Sequence, residues 1–185
     1  MGGLESGAEM TRFGQDAPVG YATQDAKAGE IIIVYPSSQS FTIPGPCLAM
    51  PRPRARKMGT HIRIHNDPRL EVFTSKVALF ARQAWGGSPP LEGPVGVDIV
   101  VFRRLVKASK VKTLAMKAGT LLPISRPDVD NQAKSILDGL TGIAYADDSQ
   151  VVGLKASKRY DDGNGERVEV IIVDLTEPKR TKGGC

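Results

Sequence analysis

Four aspartates and one lysine lie close together in the sequence, around a short predicted helix. Asp128 and Asp130 form an Asp-x-Asp pair at the start of this helix, and Asp147 and Asp148 follow after it. Carboxylates that converge in space repel one another unless a cation neutralises them, and such hard oxygen ligands favour Mg²⁺, with Mn²⁺ as a substitute. A bound ion of this kind activates water and neutralises charge on a phosphodiester, so the segment predicts metal-dependent phosphate chemistry.

The predicted helix places the lysine beside these acids. Pro127 favours an extended conformation at Arg126, and Asp130 is well placed to start the helix with its carboxylate near the free backbone amides. Lys134 lies one turn later on the same face, and Asp138 lies one turn beyond it. We expect Lys134 to stabilise the transition state as a point charge and Asp138 to be its structural partner on the helix.

The two adjacent acids after the helix are not equivalent. On an extended chain Asp147 and Asp148 point to opposite sides, so we expect only one of them to aim into the cluster. A calcium-binding loop is excluded, because the sixth position counted from Asp128 is Ala133 and the twelfth is Gly139, where such a loop needs Gly and Glu.

The same acids also fit purely structural roles. Asp130 alone could cap a helix, Lys134 and Asp138 could form a surface pair, and residues 147–148 could make a turn. An Asp-x-Asp pair also occurs in glycosyltransferases, but the sequence contains no strand, glycine-rich loop and helix for a nucleotide.

Outside this cluster the chain is basic. Its net charge is +5 and its pI is near 9.3, but residues 1–40 hold five acids and two bases, so the rest of the chain carries +8. Such a charge attracts a polyanion, of which nucleic acid is the commonest, and the alternative is simply a solvated surface. The candidate DNA contacts are Arg52, Arg54, Arg56, Lys57, Arg103, Arg104, Lys107, Lys110, Lys112, Lys117 and Arg126.

Most of these basic residues fall in two segments. The prolines among residues 51–57 oppose a helix and favour an extended loop. Residues 103–117 contain no acid, and we expect a long basic loop there, partly helical around residues 114–117, that closes on DNA and orders on binding.

The elements that position the cluster follow from hydrophobic periodicity and from capping residues. The predicted strands are 41–45, 61–65, 94–102, 150–160 and 167–173, and the predicted helices are 67–85 and 130–141. Asn164-Gly165 indicates a hairpin between the last two strands. The order ββαβαββ indicates an α+β fold in a single domain.

Apolar residues on the two helices predict which faces are buried. We expect Trp85 to pack in the core or at its rim. The expected buried stripes are Val72, Val77, Leu79, Phe80 and Ala84 on the first helix, and Ala133, Ile136, Leu137 and Leu140 on the second.

The predicted domain occupies residues 41–175. Residues 1–40 form a poorly structured, flexible leader in which residues 31–35 are either a strand or an apolar arm. Residues 176–185 form a polar tail.

Several classes of protein are disfavoured. No apolar run is long enough to span a membrane and no signal segment is present, so we expect a cytoplasmic protein without membrane contact. Cys47 and Cys185 indicate no disulfide framework, and His61 and His65 are too far apart on a strand to share a metal ion. No motif for an organic cofactor is visible.

The segments Arg126-Pro-Asp-Val-Asp-Asn, Lys134, Leu137-Asp-Gly-Leu-Thr-Gly and Tyr145-Ala-Asp-Asp-Ser-Gln-Val-Val152 together resemble the RusA family of Holliday junction resolvases. The resemblance spans about residues 41–175 and is close only between about 126 and 152. The long leader and the long basic segment before Arg126 depart from the pattern of the compact members.

This resemblance implies a mixed sheet and a homodimeric, Mg²⁺-dependent endonuclease of DNA recombination and repair that nicks branched, four-way DNA symmetrically. A two-fold dimer suits a two-fold junction. The resemblance implies Asp128, Asp130 and Asp148 as metal ligands and Lys134 as the catalytic lysine, while the role of Asp147 stays open. The alternative is a non-catalytic, basic nucleic-acid-binding module that keeps the fold.

Overall fold

The computed structural model describes the side chains of residues 38–50 and 67–176, and the backbone alone of residues 21–24, 31–34, 56–58 and 61–63. The chain divides into two compact units, Met1–Pro36 and Ser37–Cys185. In the first, β1 (Tyr21–Gln24) pairs antiparallel with β2 (Ile31–Val34). Residues 38–40 of the predicted leader belong to the second unit. The leader's other residues outside β1 and β2, and the predicted tail from residue 177, lie outside the described residues.

The second unit is built on a four-stranded mixed sheet. Its strands, in spatial order, are β3 (Ser38–Pro44), β8 (Arg167–Asp174), β6 (Val95–Arg103) and β7 (Val151–Tyr160). β6 and β7 are parallel, and the other pairs are antiparallel. A separate short pair joins β4 (Arg56–Met58) to β5 (His61–Arg63).

The described residues form three α-helices, α1 (Pro68–Trp85), α2 (Lys110–Lys117) and α3 (Val129–Leu140). α1 begins as the sequence predicts, because the Asp67 carboxylate accepts the Arg69 amide at 3.0 Å. It ends at Gly86, whose φ of 57° is a left-handed conformation that glycine adopts without strain. Among the described helices, none is long and apolar enough to cross a membrane.

The main core lies between one face of the sheet and the helices α1 and α3. Alternate residues of β6 and β8 face it, as period-two burial requires. The buried helical members are Phe73, Val77, Ala81 and Trp85 on α1, and Ala133, Ile136 and Leu140 on α3. This arrangement confirms the α+β class and the order of the predicted elements. Residues 31–34 form a strand, which is one of the two alternatives for that stretch, and the structure adds β1 and β4.

The buried face of α1 differs from the predicted stripe. Val72 and Leu79 are 71% and 52% exposed, and only Val77 of the predicted set is buried. The prediction is wrong because two overlapping apolar rows run along this helix, and the tertiary contacts select the row with four-residue spacing. Trp85 is buried as expected, and its indole nitrogen donates to the Pro89 carbonyl at 3.2 Å.

The predicted hairpin between β7 and β8 is also wrong. These strands are consecutive in the chain, but β6 lies between them in the sheet. Their connection crosses the end of β6, where the Asp161 amide donates to the Arg103 carbonyl at 2.7 Å. Two strand spacings, about 10 Å, separate β7 from β8, which a two-residue turn cannot span but this six-residue loop can.

Aspartates stabilise this crossing loop in the turn role that the sequence suggests for them. Asp161 accepts the amides of Gly163 and Gly165, and Asp162 accepts the amide of Asn164 and forms an ion pair with Arg167 at 3.0 Å.

Candidate active site

The Asp-x-Asp pair stands at the beginning of α3. Asp128 is the N-cap residue, with extended backbone angles and without a side-chain capping bond, and Asp130 lies in the first turn. Both side chains are exposed, close to the positive end of the helix dipole, which favours carboxylates there. α3 therefore begins one residue earlier than predicted, and Asp128 rather than Asp130 occupies the cap.

Two basic side chains hold the loop before Asp128 against the sheet. The Arg103 guanidinium donates to the carbonyls of Ser125 at 3.0 Å and Arg126 at 2.9 Å. The Lys158 ammonium donates to the carbonyls of Ser125 and Pro127, each at 3.0 Å. The ends of β6 and β7 thus fix the backbone that leads into the acid pair, and the sequence alone gives no indication of Lys158 in this role.

α3 itself is fixed by residues that precede the first basic segment. The Met50 amide donates to the Asn131 carbonyl at 2.8 Å, and the Ser135 hydroxyl donates to the Leu48 carbonyl at 2.5 Å. Cys47 lies in the same contact, where burial raises the pKa of its thiol to about 12 and leaves it protonated at neutral pH. The chain therefore enters residues 51–57 from beside the first turn of α3.

Lys134 lies one turn into α3, and its side chain is exposed. Within residues 38–50 and 67–176 its ammonium makes no hydrogen bond or ion pair, so the expected pairing with Asp138 is not observed. An exposed cation beside two acids is free to meet an anionic ligand.

The second acid pair lies in a one-turn 3-10 helix, Asp148–Gln150, rather than on an extended chain. The Asp147 carboxylate accepts the Ser149 amide at 2.9 Å, and the Asp147 amide donates to Gln150 at 2.9 Å. The bonds from Ser149 hold the pKa of Asp147 below its usual range. Asp147 is thus committed to capping this turn, whereas Asp148 is exposed at its first position.

Tyr145 connects α3 to this turn. Its side chain is fully buried, and its hydroxyl donates to the Leu137 carbonyl at 3.1 Å. Burial raises the pKa of Tyr145, and the negative charges of Asp148 and Asp138 raise it further. Through its hydrogen bond to Leu137, Tyr145 ties the chain before the second acid pair to α3 and is a positioning residue, a role that its residue type and spacing do not indicate.

The acids stand in two groups, one at the start of α3 and one in the turn after it. As the side chains lie, no three His, Cys, Asp or Glu residues within the described ranges are close enough to hold a metal ion. The donors themselves are all carboxylate oxygens on exposed side chains, which is the donor type that a hard divalent cation takes.

The predicted DNA contacts differ in whether the structure describes them and in what their side chains do. Arg52 and Arg54 lie outside the described residues, and only the backbone of Arg56 and Lys57 is described, in β4. Arg103 is half-buried and holds the loop before Asp128, so it does more than line a basic surface. The remaining candidates have exposed side chains, namely Arg104, Lys107, Lys110, Lys112, Lys117 and Arg126.

The second basic segment is more ordered than predicted. α2 spans residues 110–117 rather than 114–117, with the Ser109 side chain at its N-cap. Met116 anchors the helix and is only 1% exposed, while the lysines of α2 point into solvent.

Comparison with known proteins identifies a family. The model of the family described as Endodeoxyribonuclease RusA matches residues 44–173. The chain is 37% identical over 139 residues to "Uncharacterized protein YqaN" of Bacillus subtilis (strain 168), which covers 74% of this chain and 96% of that protein. It is 44% identical over 52 residues to "Crossover junction endodeoxyribonuclease rusA" of Lactococcus phage r1t, which covers 28% of this chain and 38% of that protein.

A nuclease is the class of protein that the family match and the phage relative indicate for this mixed sheet with exposed carboxylates and a lysine on one helix. The family match covers well over half of the sequence, and the chain belongs to the RusA family of endodeoxyribonucleases. The resemblance and the assignment as an enzyme of this nuclease family are therefore confirmed.

Proposed function

We propose that this protein resolves four-way DNA junctions by Mg²⁺-dependent hydrolysis of phosphodiester bonds, with paired symmetric nicks. The observation that carries this proposal is the placement of Asp128, Asp130 and Lys134 on the exposed start of α3, at the end of a basic segment. The family match and the name of the phage relative support the choice of a branched substrate.

In this proposal Asp128, Asp130 and Asp148 would hold the ion once their exposed side chains converge on it, since as they lie they form no cluster close enough to do so. Mg²⁺ bound there supplies an activated water and neutralises charge on the phosphodiester, and Mn²⁺ is a substitute. Asp147 caps the turn and so sets the position of Asp148. Lys134 offers its ammonium to an oxygen that becomes negative in the transition state.

The remaining residues orient the DNA and the acids. Arg103 and Lys158 hold the backbone that precedes Asp128, so they limit how far that carboxylate can shift when DNA arrives. The exposed lysines of α2 supply phosphate contacts without sequence preference.

A symmetric reaction needs two active sites, and we propose that two copies of the chain form a two-fold dimer on the junction. We further propose that residues 41–175 make up the endonuclease domain, and that residues 1–40 and 176–185 act as a flexible leader and a polar tail.

A cleavage assay tests the proposal. A synthetic four-way junction and a linear duplex of the same arm sequence are incubated with the protein, with and without Mg²⁺. We expect paired nicks in the junction and none in the linear duplex, and no nicks in either DNA without Mg²⁺. Asp130→Asn should also give no nicks, because one ligand is lost and Asn binds the ion weakly.

Asp138→Asn is the matched control, since it neutralises an exposed acid of the same helix that is not a proposed ligand. It should leave most of the activity. Junction binding without any product under Mg²⁺ or Mn²⁺, unchanged or strengthened by Asp130→Asn, would instead identify a binding module and end the proposal.

A further inference from the structure

Exposed aliphatic side chains are concentrated in the basic segment before α3, residues 104–124, which we call the arm. Single exposed apolar residues are normal on a protein surface, whereas a concentration of them indicates a binding site. Six of the ten large hydrophobic residues that are exposed in the described part of the chain belong to the arm. They are Val106, Val111, Leu114, Leu121, Leu122 and Ile124.

Ile124 is the extreme case, with 99% of its surface exposed. It is not on a loose loop. Pro123 before it is buried, and the carbonyl of Ser125 after it is bonded to both Arg103 and Lys158 at 3.0 Å. A large aliphatic side chain is therefore held out into solvent between two fixed neighbours, where it gives the folded monomer no burial energy.

The charges of the segment that contains Ile124 indicate what covers it. No acid occurs between Arg103 and Pro127, and the side chains of Arg104, Lys107 and Arg126 are exposed in this stretch. A partner that is apolar inside and strongly negative outside matches this surface, which describes stacked bases between two phosphate backbones.

The position of Ile124 indicates which bases it reaches. It precedes Asp128 by four residues, so their Cα atoms are at most about 14 Å apart. Bases inside an intact duplex are closed to a side chain, and opening a step costs a few kcal/mol, least where pairing is already lost. At a branch point the stacks are already interrupted beside the strand to be cut.

We propose that Ile124 is a wedge that inserts between the bases at the branch point and thereby selects branched over linear DNA. This inference rests on the proposed function. Binding is then easiest on DNA whose stack is open, and the inserted side chain keeps the exchanging strand next to the acids of α3. Leu121 and Leu122, which are 38% and 54% exposed, lie three and two residues before it in the arm.

The test uses the full chain with Asp130→Asn, so that bound DNA stays uncut, and a junction that carries 2-aminopurine at the branch point. Stacking quenches this base, so binding should raise its fluorescence. We expect Ile124→Ala to abolish the rise, while Ile124→Leu restores it. Val72→Ala, which shortens an aliphatic residue that is 71% exposed on α1, should leave the rise unchanged.

Cleavage gives the second readout, in the chain that keeps Asp130. Ile124→Ala should lower the junction cleavage rate at saturating protein about tenfold, a loss of about 1.4 kcal/mol in the transition state. Rates and fluorescence that match those of the unmodified protein would reject the wedge and leave the proposed function intact. Absence of junction cleavage by the unmodified protein would reject the function, and the wedge with it.

A third outcome concerns a second copy of the chain. If Ile124→Ala lowers the mass of the oligomer in sedimentation velocity without DNA, the side chain packs in a protein interface, and the wedge is wrong. Unchanged mass together with the lost fluorescence supports insertion into DNA.

Discussion

The adjacent acids Asp147 and Asp148 show how local geometry separates two chemically identical side chains. Asp147 accepts the Ser149 amide and caps the 3-10 turn, which lowers its pKa, whereas Asp148 is exposed and acts on the Tyr145 hydroxyl through its charge. A carboxylate engaged by backbone amides has fewer lone pairs left for a metal ion. The geometry thus supports Asp148 as the ligand of this pair.

This division predicts a difference between two single substitutions. Asp148→Asn should lower Mg²⁺-dependent junction cleavage more than about a hundredfold, because a charged ligand is lost. Asp147→Asn should change it less than about threefold, because asparagine caps a helix nearly as well as aspartate. Cleavage rates and terbium luminescence at the site measure both effects, and equal losses would contradict the assignment.

The sequence predicts the acids and the lysine of the site because they sit in one short segment with a recognisable spacing. It does not predict Arg103 as a loop anchor, or the positioning roles of Lys158 and Tyr145. Each of these donates a hydrogen bond to a backbone carbonyl of another element, at 2.9–3.1 Å. Every residue carries such a carbonyl, so the residue types do not show which one is the acceptor. Positioning residues of this kind appear only when the elements are assembled.

At the scale of elements, the contact between α1 and α3 depends on one glycine. A Cβ atom added to Gly139 would lie 2.8 Å from the Val77 Cβ and 3.0 Å from the Thr74 carbonyl oxygen. Both neighbours are parts of the packed α1, so they cannot move cheaply. The absence of a side chain at Gly139 lets α3, which carries the acids, approach α1 closely.

Gly139→Ala should therefore destabilise the protein by about 1–3 kcal/mol through overpacking, although alanine is the better helix former. Gly153→Ala is the control, because its added Cβ would come no closer than 3.9 Å to the Gly96 Cα. It should change the free energy of unfolding by less than about 0.5 kcal/mol. Urea unfolding followed by circular dichroism measures both, and equal midpoints would refute the packing argument.

The order of the elements is predictable because strands and helices differ in hydrophobic period and are separated by clear caps and turns. Which strands pair is not predictable in this way, because pairing depends on which strand edges meet in the folded sheet. The Asn164-Gly165 turn predicts a hairpin, yet β8 pairs with β3 and β6 instead. Periodicity likewise does not decide between the two apolar rows of α1, since the neighbours that bury one row are distant in sequence.

At the scale of the whole molecule, the basic residues divide into those proposed to contact DNA and those that hold the protein's own backbone. Lys112 on α2 is exposed and lies in the group proposed to contact phosphates, whereas Lys158 is half-buried and bonded to two carbonyls. The net charge alone does not distinguish them. Loss of Lys112 should weaken the attraction of the whole surface for DNA, whereas loss of Lys158 should loosen the backbone before Asp128.

Lys112→Met should weaken junction binding and reduce the salt slope of log K by about 1, with the rate at saturating protein unchanged. Lys158→Met should leave the affinity for the junction nearly unchanged and lower the rate at saturating protein about tenfold, because the proposed ligand Asp128 is displaced. Binding titrations at several salt concentrations and single-turnover cleavage separate the two. The division fails if Lys158→Met weakens binding as much as it slows cleavage.

The central position of β6 has a consequence for how the molecule is made. Val95 in β6 is paired with Val151 on one side and with Asp174 on the other, so neither neighbour exists until most of the chain has been synthesised. Contacts so distant in sequence slow folding and make it depend on the last strand. A nascent chain that ends before β8 has the acids of the site but no completed sheet to hold them, so the nuclease becomes competent only after its final strand has emerged.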